Sequence, residues 1–137
     1  MKIKNIFDIA GRAMAAQMVR LNTISSNLAN AGATTGDPET VYKPLKPEFK
    51  TQYSENVKKN GISTVNVSKV VELQKEPFKI FDPNHPLADD DGYIYKAPIN
   101  VEEEMVDMMD ASRQYQNNVE VVTTLKALTL KTINLGK

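Results

Sequence analysis

The chain has no cysteine and no tryptophan. Without cysteine there is no disulfide framework and no thiolate-bound metal, so the fold must rest on packing and hydrogen bonds. Histidine occurs once, as His85 between Asn84 and Pro86. With no second imidazole and no thiol, it has no partner for a metal site, and a lone loop histidine is an ordinary turn residue. Net charge is also missing, because 17 basic residues cancel 17 acidic ones. That balance leaves no electrostatic footprint for nucleic acid or an anionic membrane surface, and it removes one brake on self-association. No apolar run reaches membrane-spanning length. The opening MKIKNIFDIAGRAMAAQMVR is interrupted by Lys4, Asn5, Asp8, Arg12 and Gln17. It therefore does not read as a Sec-type leader, and work outside the cytoplasm would need another export route. The phosphate-binding and nucleophile-elbow patterns G-x-x-x-x-G-K-[ST], G-x-G-x-x-G and G-x-S-x-G do not occur.

Proline is absent from both ends. All seven prolines lie between Pro38 and Pro98, so the termini are free to form long helices. From Val101 to Lys137 the first glycine is Gly136. Asn100 is placed to cap this stretch, with Glu103 three residues on as in a capping box. Glu102, Glu103 and Glu104 suit the start of the helix dipole, and Lys131, Gly136 and Lys137 suit its end. The spacing predicts a helix roughly 50 Å long at ~1.5 Å per residue. Its line Val101, Met105, Met108, Ser112, Tyr115, Val119, Val122 alternates steps of four and three, and from Val121 a second line takes over with Leu125, Leu128 and Leu135, Thr132 lying between. Such a seam requires a partner helix.

Residues 3–30 predict a second long helix. Phe7, Met14, Leu21 and Leu28 recur every seven residues, with Ile3, Ala10, Met18 and Ile24 between them. Asn5 is the expected cap, with Asp8 at the third position. Ala10, Gly11, Ala13, Ala15 and Ala16 thin one stretch and permit close approach. Ser25, Ser26, Asn27 and Asn30 are weak helix formers, and AGATTGDPET ends the helix in a loop.

Between the helices the pattern is extended. Pro44 and Pro47 keep YKPLKPEFK out of helix. STVNVSKVVELQ alternates Val65, Val67, Val71 and Leu73, with Lys69 intruding, and reads as a strand. PFKIFDP and YIYK read as two more, making a small sheet that needs something to pack on. The expected class is α+β: two long terminal helices forming a coiled coil around a β-rich insert. The division is 1–32, N-terminal helix; 33–98, β-rich insert; 99–137, C-terminal helix. The helices can pair with each other, yet a two-helix hairpin leaves much of each face open. Neighbouring subunits could cover the remainder, and an ordinary monomer with helices on its own sheet is the competing arrangement.

No constellation supports catalysis. Asp89, Asp90, Asp91 and Gly92 suggest calcium, but with Gly92 at position six of an EF-hand loop, positions one and twelve are Leu87 and Pro98. An Asp-Gly turn into YIYK is the better reading. Glu102, Glu103 and Glu104 could be imagined as a hydrolytic acid pair, and a helix N-terminus accounts for them better. Met105, Met108 and Met109 read either as core filling or as an adaptable contact surface, two readings that merge if the core lies between subunits.

Two stretches carry a resemblance. FDIAGRAMAAQMVRLNTISSNLANAGATTG, centred on Ser25–Thr35, resembles the N-terminal signature of bacterial flagellar rod and hook proteins. The C-terminal HPLADDDGYIYKAPINVEEEMVDMMDASRQYQNNVEVVTTLKALTLKTINLGK, above all ASRQYQNNVEV and TINLGK, resembles the proximal-rod branch of that family. Residues 36–76 match it loosely. The resemblance implies a structural subunit, with no catalysis and no cofactor. Its terminal helices would line the inner tube of the axial structure and order on assembly, and its β insert would face outward. The implied partners are other rod subunits (proximal, distal and the rod-base adaptor), further copies of itself, and the flagellar type III export apparatus. Nucleic acid and small-molecule substrates are not implied. The implied location is the basal-body rod in the periplasm, reached without a cleaved signal peptide. The implied assembly surface comprises Phe7, Met14, Leu21, Ile24, Asn27, Leu28 and Asn30 on the first helix. On the second it comprises Met105, Met108, Tyr115, Val119, Val122, Leu125 and Leu128. Another axial protein of the family, or a helical-hairpin binding or chaperone module, is the alternative.

Overall fold

The computed structural model describes residues 3–52 and 64–136. Helix α1 spans Ile3–Asn30 and helix α2 spans Val101–Leu135. Between them lie β1 (Thr34–Thr35), a 3-10 turn (Pro38–Thr40), β2 (Leu45–Gln52), β3 (Thr64–Glu72), β4 (Phe78–Phe81) and β5 (Tyr93–Lys96). The architecture is α+β: a pair of long helices with small antiparallel sheets between them in sequence.

Helix α2 starts where expected. Asn100 is extended, and its side-chain oxygen accepts from the backbone N–H groups of Glu102 and Glu103. This satisfies two donors that a helix start otherwise leaves unpaired. The capping box is half-formed, since no bond from the Glu103 side chain returns to Asn100 among the described residues. At the far end Gly136 donates to the Ile133 carbonyl, and no basic residue lies in the last turn, so Lys131 sits above the position expected for it. Helix α1 begins at Ile3. Asn5 is therefore inside the first turn and is not the cap, because a long cooperative helix tolerates an unfavourable residue near its end.

The insert forms two sheets where one was expected. β2 and β3 make a two-stranded ribbon, with Leu45 opposite Glu72 and Gln52 opposite Thr64. Both of its strands are edges, which is why Pro47 is accommodated despite lacking an N–H. The register shifts between Glu48 and Phe49, whose partners are Lys69 and Val67. Ser68 is the extra residue of a bulge, and this interrupts the alternation beside Lys69. The second sheet has the order β1-β5-β4. Thr34–Thr35, expected as loop, pairs with Lys96 and Tyr95. Gly36 follows directly, and a Cβ there would lie 2.6 Å from the Leu87 carbonyl oxygen. Only glycine allows that close approach of two loops.

The turn into β5 is organised by Asp89. Its Oδ1 accepts from the backbone of Tyr93 at 2.7 Å and of Asp91 at 3.1 Å, and its Oδ2 accepts from the Tyr95 hydroxyl at 3.1 Å. Gly92 takes φ 81°, as the turn requires. These bonds, led by the one from the Tyr93 N–H and helped by the nearby Lys79 cation, hold the Asp89 carboxyl below the usual carboxylate range. A carboxylate with a depressed folded-state pKa stabilises the fold above its unfolded pKa, and the benefit is lost on acidification through that range. Thermal unfolding of the native chain should therefore become more acid-sensitive than that of Asp89→Asn. Parallel profiles of Tm against pH would show that this turn contributes nothing.

The buried interior is built from small side chains. Ala31, Val41, Ala97 and Ile99 form its cluster, flanked by Tyr42 and Tyr95, where the near ends of the two helices meet the insert. No large side chain is completely buried among the described residues.

Candidate assembly interface

The helices run antiparallel, and two polar contacts set their register. Asn27 near the end of α1 donates to Glu104 Oε2 near the start of α2 at 3.2 Å. Two turns back along α1, Arg20 reaches Asp107 and Asp110 together, each at 3.0 Å. Carried on in this register, α1 begins short of the last turns of α2, which project beyond it. Both aspartates are half exposed. The guanidinium fork therefore aligns the helices, adding only modestly to stability.

Asn27 is the junction of the molecule. It is 2% exposed. Its oxygen accepts from the Leu45 N–H at 2.8 Å and the Tyr42 hydroxyl at 3.1 Å. Its nitrogen donates to the Leu45 carbonyl at 2.9 Å as well as to Glu104. The amide thus meets both backbone groups of Leu45 as a neighbouring peptide would. One side chain joins α1 to β2, to the Tyr42 loop and to α2, using the full donor and acceptor capacity of an amide.

The face of α2 turned toward α1 differs from the expected line. Glu104, Met108, Ala111, Tyr115, Asn118, Val122, Leu125 and Thr129 line it, with Ser112 half-buried at its margin, and Ala111 is fully buried. This is also a line of alternating four- and three-residue steps. Of the expected seam, Met108, Tyr115, Val122 and Leu125 lie on it and Ser112 is half-buried beside it. Val101, Met105, Val119, Val121, Leu128 and Leu135 are exposed. The difference has a physical cause. Glu104 can occupy an inward position because Asn27 satisfies it, and Ala111 because close approach needs a small residue. A search for the most apolar line passes over both.

On α1, Ile24 and Asn27 are buried, Phe7, Met14, Leu21, Leu28 and Asn30 are half-buried, and Met18 is exposed. Asn30 turns its amide back to the Ser26 carbonyl at 2.8 Å. Ala10 and Ala16 of the thin stretch are buried, whereas Gly11 and Ala15 are exposed. The β2–β3 ribbon lies against another flank of α1. There Arg12, Ala15, Ala16 and Val19 border an open cleft with Asn66 and Val67, crossed by the Arg12–Asn66 contact at 3.4 Å. The Oε1 atom of Gln17 is buried without a hydrogen-bond partner, and nothing in the structure explains it.

Sequence reasoning did not find the Arg20–Asp107–Asp110 clamp. Its signal was present as acidic residues three apart on α2, but only the antiparallel register brings Arg20 to them. Among the described residues no group of three potential metal ligands comes together, and no helix is long and apolar enough to cross a membrane. The dominant surface feature is apolar. Ten large hydrophobic residues of α2 are exposed, from Val101 to Leu135, and Phe78, Ile80 and Phe81 are exposed on the edge strand β4.

Known proteins resemble this chain over its whole length. Residues 7–36 match the family model described as flagella basal body rod protein, and residues 90–135 match the one described as flagellar basal body rod FlgEFG protein C-terminal. The flagellar basal-body rod protein FlgC of Salmonella typhimurium is 42% identical over 137 residues, covering all of both chains. The FlgC proteins of Yersinia enterocolitica and of Buchnera aphidicola from Acyrthosiphon pisum are 40% and 38% identical, again over the full length of both chains. With these matches spanning both helices and the insert between them, the chain belongs to the flagellar basal-body rod protein FlgC family.

Proposed function

We propose that the protein is a structural subunit of the proximal rod of the flagellum. It builds the shaft that carries motor torque and encloses the export channel. The observation that carries this reading is the mismatch between its interior and its surface. Small residues dominate what the chain buries, while α2 presents ten large apolar side chains to solvent, clustered toward its two ends with Val119 and Val121 between. Monomeric proteins rarely leave so continuous an apolar surface uncovered. In an assembly those side chains become the core between subunits, and α1 and α2 extend their pairing into a coiled coil with neighbours.

In this reading the three parts of the chain divide the work. Residues 1–32 and 99–137 form the rod core, and 33–98 face outward. The subunit reaches the periplasm through the flagellar type III apparatus and contacts other proximal and distal rod proteins and the rod-base adaptor. The work is mechanical, with no cofactor and no reaction. The implied surface of Phe7, Met14, Leu21, Ile24, Leu28, Tyr115 and Val119 then serves packing inside the subunit and between subunits together.

A cell lacking the chromosomal copy, supplied with Val119→Asp, tests this directly. Val119 is 41% exposed, so the monomer should fold with unchanged helicity. Swimming in soft agar should fall to the level of the deletion strain. Motility equal to that restored by the native gene would refute the role of this face.

A further inference from the structure

Methionine carries all the sulfur of this chain, because cysteine is absent. An oxidant that attacks soft sulfur therefore meets no thiol here and reaches only thioethers. Two of these stand well out into solvent. Met105 is 55% exposed and Met109 66%, one turn apart near the start of α2. At ~100° per residue both lie more than about 90° round the helix from the line that faces α1. Val101 and Val106, also exposed, complete a small apolar patch around them. Met108 lies between them in sequence but turns toward α1 and is half-buried, as is Met14 on α1. Met18 is the exposed methionine of α1, away from this patch.

We propose that Met105 and Met109 are a reversible oxidation site that decides whether a free subunit can be built in. Hydrogen peroxide transfers one oxygen atom to each sulfur. The O–O bond breaks as an S–O bond forms, the sulfur loses two electrons, and water leaves. Each flexible apolar side chain becomes a polar one. The sulfoxide oxygen accepts hydrogen bonds and has none to donate, so burying it against an apolar partner strips it of water without replacement. With both sulfurs oxidised, two such groups stand in one patch. A methionine sulfoxide reductase reverses the change, as two thiols are oxidised to a disulfide and the oxygen leaves as water. The inference rests on the assembly role proposed above, in which side chains exposed on the free subunit are covered in the rod. The pair is then open to oxidant, and to repair, only before assembly.

The first test is chemical. After brief exposure of the native full-length chain to hydrogen peroxide, peptide mass spectrometry should show Met105 and Met109 oxidised about five times faster than Met14 and Met108, with helicity unchanged. Uniform rates, or faster loss at Met108, overturn the proposal. The second test reads the consequence in cells lacking the chromosomal copy. Met105→Gln with Met109→Gln places a polar side chain of similar length at both positions, whereas Met105→Leu with Met109→Leu keeps the patch apolar. The glutamine pair should spread about fivefold less in soft agar than the leucine pair. Equal spreading overturns the proposal: if both pairs swim, polarity at the patch has no consequence, and if neither does, its shape matters and its polarity does not. Oxidation rates are read on the isolated chain, so they stand or fall apart from the rod assignment. Motility lost in Val119→Asp but equal in the two methionine pairs sinks this inference alone.

Discussion

Asn27→Ala is expected to cost about 3 kcal/mol, since it strands the Leu45 N–H and carbonyl in a site that water barely reaches. A domain of this size holds only about 5–15 kcal/mol of stability in total. The variant should therefore unfold at much lower urea concentration, and its β2–β3 ribbon should lose amide protection before the helices do. A second variant separates the hydrogen-bonding role from simple packing. Asn27→Asp keeps the volume and the acceptor but removes the donor, and at neutral pH it sets a carboxylate against Glu104 and the Leu45 carbonyl. It should be less stable than Asn27→Ala at pH 7. Part of that loss should return at acid pH, when the new carboxyl can donate. If both variants unfold with the native midpoint, the junction assigned to Asn27 does not exist.

Ala111→Leu is expected to be nearly as damaging, for an opposite reason. Ala111 has no exposed surface and sits on the inner line of α2 between Met108 and Tyr115. Three added carbons have no space, so the helices must separate or neighbouring side chains must leave their rotamers. Overpacking of this kind costs roughly 2 kcal/mol, which lowers Tm by about 5–10 °C in a chain of this length. In the cell the same change alters the spacing of two helices whose outer faces meet other subunits, so motility should fall further than the stability loss alone accounts for. Ala111→Ser, close in volume, should swim normally. Equal motility and Tm for Ala111→Leu and the native chain would show that the helices do not approach closely at this point.

These two residues also mark where sequence reasoning stopped. Asn27 stood out through the SSNLANAG resemblance and through its low helix propensity, yet neither says what its amide binds. Its partners at Tyr42, Leu45 and Glu104 are distant in sequence, and only folding brings them together. Ala111 opens the ASRQYQNNVEV segment, yet nothing in the sequence marks it as an inner position, because an alanine there is recognised by the backbone that approaches it. Which line of α2 faces α1 was not legible for the same reason. Two overlapping lines of steps of four and three run along this helix, sharing Met108, Tyr115, Val122 and Leu125, and hydrophobicity alone passes over Glu104 and Ala111.

The sequence by itself determined the long helices, the extended middle, the Asn100 cap and the Asp89–Gly92 turn. These follow from local causes: proline placement, periodicity, capping chemistry and the types of side chain available. Tertiary structure alone decided the antiparallel register, the division of the strands into a ribbon and a three-stranded sheet, the inward turn of Glu104 and the clamp of Arg20 on Asp107 and Asp110. Those depend on contacts between residues far apart in the chain, where the energy of satisfying a buried group or fitting a small one outweighs local preference.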